Sequence, residues 1–157
     1  GNADKQGEYY KMKDNIQIRL MTIKDYPEVF KLWENTEGMC LRNADDSFSG
    51  IEKFLRRNPC TCFAAEIEQK IIGAILSGHD GRRGFLYHLA VDIEYRRSRV
   101  GSKLAEAALS ALKAEGINKI SLVVLNTNES GDKFWEVIGF EKRDDLIYRN
   151  ISLIDNN

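Results

Sequence analysis

The sequence predicts an α/β (α+β) domain with a mixed central sheet of roughly six to seven strands flanked by about four helices. Short apolar segments separated by turn residues occupy the stretch from Cys62 to Val91, which is typical of a three-stranded antiparallel meander. From Ser98 to Glu115 the apolar residues recur at helical spacing, and the apolar segment Lys119–Leu125 follows directly. The resulting element order is β-α-α-β-β-β-α-β-α-β-β.

The first elements are a strand and two helices. Asn15–Met21 alternates apolar and polar residues and predicts the first strand. Thr22, with Asp25 three positions later, has the pattern of a short capping box and predicts a helix that ends near Thr36. After a loop of mixed character, a short helix is expected over Ile51–Arg57, stopped by Pro59.

The remaining elements follow from the same patterns. The meander strands are expected at Cys62–Ile67, Ile71–Ser77 and Phe85–Val91, and the long helix at Ser98–Glu115, with Gly116 after its end. Beyond strand Lys119–Leu125, a short helix is expected over Asn128–Ile138, and Phe140–Arg143 with Leu146–Ile154 would form a final hairpin around Asp144 and Asp145.

Composition predicts one ordinary globular domain. The chain has 157 residues, 43% of them hydrophobic, and a net charge of −1. We assign residues 15–157 to a single domain and residues 1–14 to a flexible tail, whose Gly1 we interpret as a cloning remnant. The near-neutral charge argues against a nucleic-acid binder, and no apolar run is long enough to cross a membrane. Three cysteines without a zinc-type spacing predict no metal site and fit a cytoplasmic location.

The turn between the third meander strand and the long helix is rich in arginine. Arg96, Arg97 and Arg99 surround the point where the helix begins. The first amides of a helix point away from it, and its dipole adds positive potential there. Guanidinium groups suit phosphate oxygens in both charge and geometry. The turn therefore predicts an anion site that grips a pyrophosphate.

Two motifs resemble the GCN5-related N-acetyltransferase (GNAT) superfamily. The first is Arg96-Arg97-Ser98-Arg99-Val100-Gly101, which matches Arg/Gln-x-x-Gly-x-Gly/Ala after a strand. The second is the late-helix pattern with Asn128, Gly131, Phe134, Trp135, Gly139 and Phe140 at the family spacing. The resemblance implies a sheet that splays open, with acetyl-coenzyme A bound in the gap. It also implies a set of cofactor-binding residues: Leu89, Ala90, Val91, Arg96, Arg97, Ser98, Arg99, Val100, Gly101, Ser102 and Asn128.

The sequence departs from the family pattern at two positions. Arg99 stands where the family has its middle glycine, which lets the backbone approach the pyrophosphate closely. Trp135 stands where many relatives have a tyrosine that protonates the leaving thiolate, and an indole N–H is too weak an acid for that role.

The candidate general bases are His88 and Tyr87, which adjoin the expected position of the acetyl group. Side chains alternate along a strand, so we expect only one of the two to face the cleft. Histidine titrates in the useful range, whereas an aromatic residue on a central strand is usually core. Direct transfer by proximity without a base is a further alternative. In the loop that the resemblance places on the acceptor side, Glu37, Asp45 and Asp46 either favour a cationic amine or are solvated charges.

These observations predict an N-acetyltransferase that uses acetyl-coenzyme A and acetylates a primary amine, small molecule or protein, by direct attack in a ternary complex. The alternative is a non-catalytic acyl-coenzyme A sensor that keeps the pyrophosphate grip. Trp135 and the lack of an obvious carboxylate base motivate that alternative. We expect a monomer or homodimer without a nucleic-acid or membrane partner.

Overall fold

The computed structural model describes residues 15–157 and Lys5. The prediction of a flexible tail over residues 1–14 lies outside the described residues, Lys5 excepted. The helices are α1 (Tyr26–Glu34), α2 (Phe48–Arg57), α3 (Val100–Ala114) and α4 (Glu129–Ile138). The strands are β1 (Gln17–Leu20), β2 (Phe63–Ile67), β3 (Lys70–His79), β4 (Gly84–Val91) and β5 (Ile120–Ser121). Short 3-10 turns at Ile23–Asp25 and Ile93–Tyr95 precede α1 and α3.

The five strands form one sheet in the order β1-β2-β3-β4-β5. Neighbouring strands from β1 to β4 are antiparallel. Short turns join β2 to β3 and β3 to β4, whereas α1 and α2 lie between β1 and β2. β5 pairs with β4 in parallel, since the long helix α3 connects them. The predicted α/β class and mixed sheet are therefore confirmed.

The sheet separates two layers of apolar side chains. On one face, α1 and α2 bury Val29, Trp33 and Ile51 against the strands. On the other face, α3 buries Leu104 and Leu112 against them. β4 therefore lies between two helical layers, one on each face of the sheet.

Most predicted element boundaries differ from the structure by a few residues for local reasons. α2 begins at Phe48 rather than Ile51, because the Ser47 side chain caps it by accepting a hydrogen bond from the Gly50 amide. The predicted long helix begins at Val100, because Ser98 and Arg99 form the preceding turn. The Asp25 carboxylate accepts the Thr22 N–H, as the capping pattern predicts.

The strand count of six to seven is wrong, because the sheet has five strands in the described residues. Of the predicted strand Lys119–Leu125, only Ile120–Ser121 pairs with β4. The predicted hairpin over Phe140–Arg143 and Leu146–Ile154 forms no strand in the part of the chain that is described. A two-residue strand offers no long edge for a hairpin to pair with, and side chains such as Leu153 are exposed. No helix among the described residues has the length and apolar character needed to cross a membrane.

Candidate functional site

The sheet opens between β4 and β5. The two strands pair only at Gly84 with Ile120 and Phe85 with Ser121, and beyond this point they separate. The gap holds a cavity of about 170 Å³. One wall is the β4 segment Leu86–Leu89, and the other is the segment Leu122–Leu125 that follows β5. The β5-side edge of the second half of β4 therefore has no described strand against it, and its backbone groups are free to pair with an extended ligand.

Asn128, which precedes α4, and Trp135 within α4 line the same gap. Asn128 precedes the helix and caps it, because its side-chain oxygen accepts the Gly131 N–H at 3.0 Å. The oxygen is thus occupied, which leaves the Asn128 amide N–H₂ for other contacts. Trp135 is half-buried, its ring contacts those of Phe134 and Phe140, and the residue is part of the lining of the gap.

β4 contains a bulge at His88. Leu76 of β3 lies opposite Tyr87 and Ala74 lies opposite Ala90, so β4 carries one more residue than β3 over this interval. His88 absorbs the extra residue with a backbone φ of +50°. Bulges of this kind break the alternation of side chains and turn a residue toward the other face.

The bulge brings both candidate bases to one face of the sheet. The Tyr87 ring contacts Phe54 of α2 edge-on, with centroids 5.8 Å apart. The His88 ring contacts Trp33 of α1 edge-on at 5.0 Å. Because α1 and α2 pack on the same face, the prediction that only one of the two side chains could point this way is wrong.

His88 forms a short hydrogen bond with Asp46, between its Nε2 and the Oδ1 of the carboxylate at 2.6 Å. The side chains of His88 and Asp46 are 18% and 6% exposed, so the bond is largely shielded from water. Burial by itself would raise the pKa of Asp46, but hydrogen bonds from His88 and from the Arg42 amide hold that pKa below its ordinary value. Asp46 is therefore an ionised, buried partner of His88 and no solvated loop charge.

Tyr87 has a different environment. Its ring lies 4.6 Å from that of Phe85, and the side chain remains 42% exposed. Burial raises the pKa of Tyr87, and the nearby Tyr148 and Asp45 raise it further. The phenol therefore holds its proton at neutral pH and is poorly suited to act as a base.

The arginine-rich turn lies where the free edge of β4 ends. Arg96, Arg97 and Arg99 are exposed there, and the Arg96 Nε donates to the Val91 carbonyl at 3.3 Å. Arg99 adopts the left-handed conformation, with φ 65° and ψ 18°. The arginine at the family's glycine position thus takes up a backbone conformation that glycine favours.

The predicted cofactor-binding residues of this region differ in burial and in which of their polar groups are already hydrogen-bonded. Ser98 is buried, and both its amide and its hydroxyl donate to the Tyr95 carbonyl, so its donors are used within the turn. Val100 is buried in the core, which leaves only its backbone for a ligand. Gly101 and Ser102 are half-buried in the first turn of α3 and Leu89 lines the gap, whereas Ala90 is buried on the α1 side.

The cysteines do not contribute to the gap. Cys62 is buried, its thiol contacts the Ser77 amide and carbonyl, and burial raises its pKa to about 12. Cys40 and Cys60 are exposed. Within residues 15–157, no group of three or more His, Cys, Asp or Glu side chains is arranged to hold a metal ion.

A family model described as "Acetyltransferase (GNAT) family" matches residues 25–140. Among curated proteins, acetyltransferase SG1711 of Sodalis glossinidius is 30% identical over 141 residues, which cover 90% of this chain and 98% of the relative.

Among solved structures, Ard1 from Thermoplasma volcanium aligns with a TM-score of 0.73 and 22% identity, covering 81% of this chain and 83% of Ard1. PaiA N-acetyltransferase from Thermoplasma acidophilum, solved in complex with coenzyme A, aligns with a TM-score of 0.71 and 21% identity, covering 82% and 91%.

Proposed function

The chain belongs to the acetyltransferase (GNAT) family and is an N-acetyltransferase, and from this premise we propose that it acetylates a primary amine with acetyl-coenzyme A by direct attack in a ternary complex. The observation that carries the proposal is the open gap between β4 and β5, with His88 on its wall and the arginine-rich turn at its end. A free strand edge and a helix N-terminus at the two ends of one groove suit an extended, phosphate-bearing molecule.

The residues present fit acetyl-coenzyme A, which supplies an acetyl group activated as a thioester. The backbone amides of Val100, Gly101 and Ser102 at the start of α3 would bind the pyrophosphate, since amides in the first turn of a helix have no intrahelical acceptor. Arg96 and Arg99 add positive charge beside them. The free edge of β4 from Leu89 to Val91 would pair with the pantetheine arm, and the Asn128 amide would contact it from the opposite wall.

Deprotonation of the acceptor is the main demand on this site. An alkylamine with a pKa of about 10.4 requires roughly 4–5 kcal/mol to lose its proton at neutral pH. A thiol with a pKa of about 8.5 departs as thiolate at a cost of only about 2 kcal/mol. Trp135 cannot donate a proton to the thiolate, but lacking this acid costs less than lacking a base for the amine.

We assign the role of general base to His88. His88 is one of the residues that line the gap, and its partner Asp46 would stabilise the imidazolium that forms on proton uptake. The amine nitrogen then forms the C–N bond as the C–S bond breaks, its second proton passes to the sulfur, and His88 returns the first to solvent. Tyr87 is the weaker candidate, because its raised pKa keeps the phenol protonated.

The test is a thiol-release assay with polyamines, amino acids, aminoglycosides and peptides as acceptors, combined with calorimetry of coenzyme A binding. We expect binding and turnover on at least one amine. Tight binding without turnover on any amine would refute the proposed transfer and leave the acyl-coenzyme A sensor as the alternative.

His88→Ala tests the base, and His79→Ala is its matched control, because the chain has 2 histidines. His79 bonds to Glu115 on the exposed surface and is not among the residues that line the gap. We expect His88→Ala to lower kcat/KM by about 10²–10⁴-fold and to flatten the acid limb of the rate–pH profile. His79→Ala should keep both. An unaltered profile in His88→Ala would remove His88 from the mechanism.

A further inference from the structure

The carboxylate of Asp46 is held by two donors at once. Its Oδ1 bonds to His88 Nε2 at 2.6 Å, and its Oδ2 accepts the backbone N–H of Arg42 at 2.7 Å. The Arg42 donor belongs to the main chain, so it cannot rotate away or change its role. The two oxygens of Asp46 therefore have fixed and different partners.

The surroundings keep this arrangement in place. The Tyr26 hydroxyl donates to the Asp46 carbonyl at 2.7 Å, and the Trp33 ring contacts the His88 ring edge-on. The Arg42 charge acts on Asp46, Glu37 lies at the rim of the gap, and Tyr87 precedes His88 on β4. Of these titratable groups, Asp46 is the one that hydrogen-bonds with the His88 ring.

The chemistry of the groups decides where the ring proton lies. An ionised carboxylate only accepts hydrogen bonds, so the nitrogen that faces Asp46 carries the proton. In neutral His88 this nitrogen is Nε2, and the lone pair is then on Nδ1. The bond thus selects one tautomer of the neutral ring.

We infer that Asp46 is the positioning residue of this enzyme: it holds the His88 proton on Nε2 and makes Nδ1 the nitrogen that receives the proton of the acceptor amine. The inference rests on the proposed role of His88 as base. It assigns to an acidic residue of the loop before α2, 42 positions from His88 in sequence, a role in the chemistry at β4.

Asp46→Asn reverses the tautomer with little change in shape. The Arg42 N–H is a fixed donor, so the asparagine oxygen must face it and the side-chain NH₂ must face His88. Nε2 then becomes the acceptor and the proton moves to Nδ1, where it blocks the base. We expect Asp46→Asn to lower kcat/KM by about 10²–10⁴-fold, the full contribution of a positioned base.

Asp46→Ala separates positioning from a structural role. Alanine removes the carboxylate and leaves the ring free to take either tautomer, so activity should fall less than in Asp46→Asn. It also leaves the Arg42 N–H without its acceptor, so the free energy of unfolding should fall more than in Asp46→Asn. If Asp46 had only a structural role, the variant that loses more stability would also lose more activity. The inference predicts instead that Asp46→Asn loses more activity and Asp46→Ala loses more stability.

The control is Asp45→Asn, since Asp45 is the adjacent acid but is exposed and accepts a hydrogen bond from the Asn157 side chain. It should keep the wild-type pH profile. Nitrogen-15 NMR of the free protein gives a readout that does not depend on activity, because it reports which ring nitrogen is protonated. The His79→Ala background removes the only other histidine signal.

We expect the neutral His88 ring to be protonated at Nε2 in the wild type and at Nδ1 in Asp46→Asn. A wild-type ring protonated at Nδ1, or an Asp46→Ala variant that is less active than Asp46→Asn, would overturn the inference. Absence of acetyl transfer by the wild type would refute the proposed function instead, and the NMR comparison would still decide the tautomer.

Discussion

Substitution of Arg99 measures the backbone strain in the arginine-rich turn. It lies at φ 65° before α3, and left-handed backbone costs a residue with a side chain about 1–2 kcal/mol. The side chain is exposed and makes no capping hydrogen bond, so its removal sacrifices little native contact. Glycine has greater freedom in the unfolded chain, which offsets about 0.4–1 kcal/mol of the gain. We expect the backbone change alone in Arg99→Gly to stabilise the protein by about 0.5–1 kcal/mol.

Arg99→Ala is the matched control for this change. Both variants remove a cation from the N-terminal end of α3, where the helix dipole opposes positive charge by about 0.3–1 kcal/mol. Only glycine also relieves the left-handed conformation. The difference between the two variants, about 0.5–1 kcal/mol in favour of glycine, therefore isolates the backbone contribution.

Urea unfolding of the three proteins gives the difference in the free energy of unfolding, and in thermal unfolding the Tm difference should be about 1–4 °C for a chain of this size. Calorimetry with coenzyme A then separates the two effects on binding. If the guanidinium contacts the phosphates, both variants lose affinity to the same extent. Equal stability of Arg99→Gly and Arg99→Ala would refute the assignment of strain to this turn.

Two further predictions concern the arginine-rich turn and the buried Asp25 carboxylate beside β1. Arg96→Ala should weaken coenzyme A binding by about 1–3 kcal/mol in calorimetry, because a charge-assisted contact is lost, and unchanged affinity would mean that the phosphates bind elsewhere. Asp25 is buried, which raises its pKa, but bonds from Arg19 and the Thr22 amide hold that pKa below its ordinary value. This group therefore stabilises the fold above its unfolded pKa and loses that contribution as pH falls through the folded one. Asp25→Asn should lower the free energy of unfolding by about 1.5–3 kcal/mol at neutral pH and by progressively less in acid. A difference from the wild type that is constant with pH would contradict this.

The sequence was sufficient to predict the class of the fold and the elements whose apolar pattern is strong. The meander strands and α3 combine high apolar content with clear turn residues, and they appear within a few positions of their predicted ends. The predicted C-terminal hairpin shows the limit of this reasoning. Its alternating residues have strand character, but strand formation depends on a partner edge, and β5 provides only two paired residues.

The site was less predictable because two of its features are tertiary. The bulge at His88 has no glycine to mark it, and only the register between β3 and β4 reveals the extra residue. Asp46 carries no local signal either, since a loop aspartate beside Asp45 is usually solvated. Its proximity to His88 depends on how the loop before α2 returns to the sheet, which sequence patterns do not record.

The two strained residues of the gap indicate what the site requires. His88 and Arg99 both have positive φ, and each would relieve its backbone strain if it were glycine. The left-handed backbone at His88 costs about 1–3 kcal/mol. The bulge that contains it turns the ring toward Asp46 and Trp33. Glycine at either position would keep the path of the chain but would remove an imidazole from the wall of the gap or a guanidinium from its end. Under the proposed function both conformations have a use, since His88 would act as the base and Arg99 would place a cation beside the phosphates.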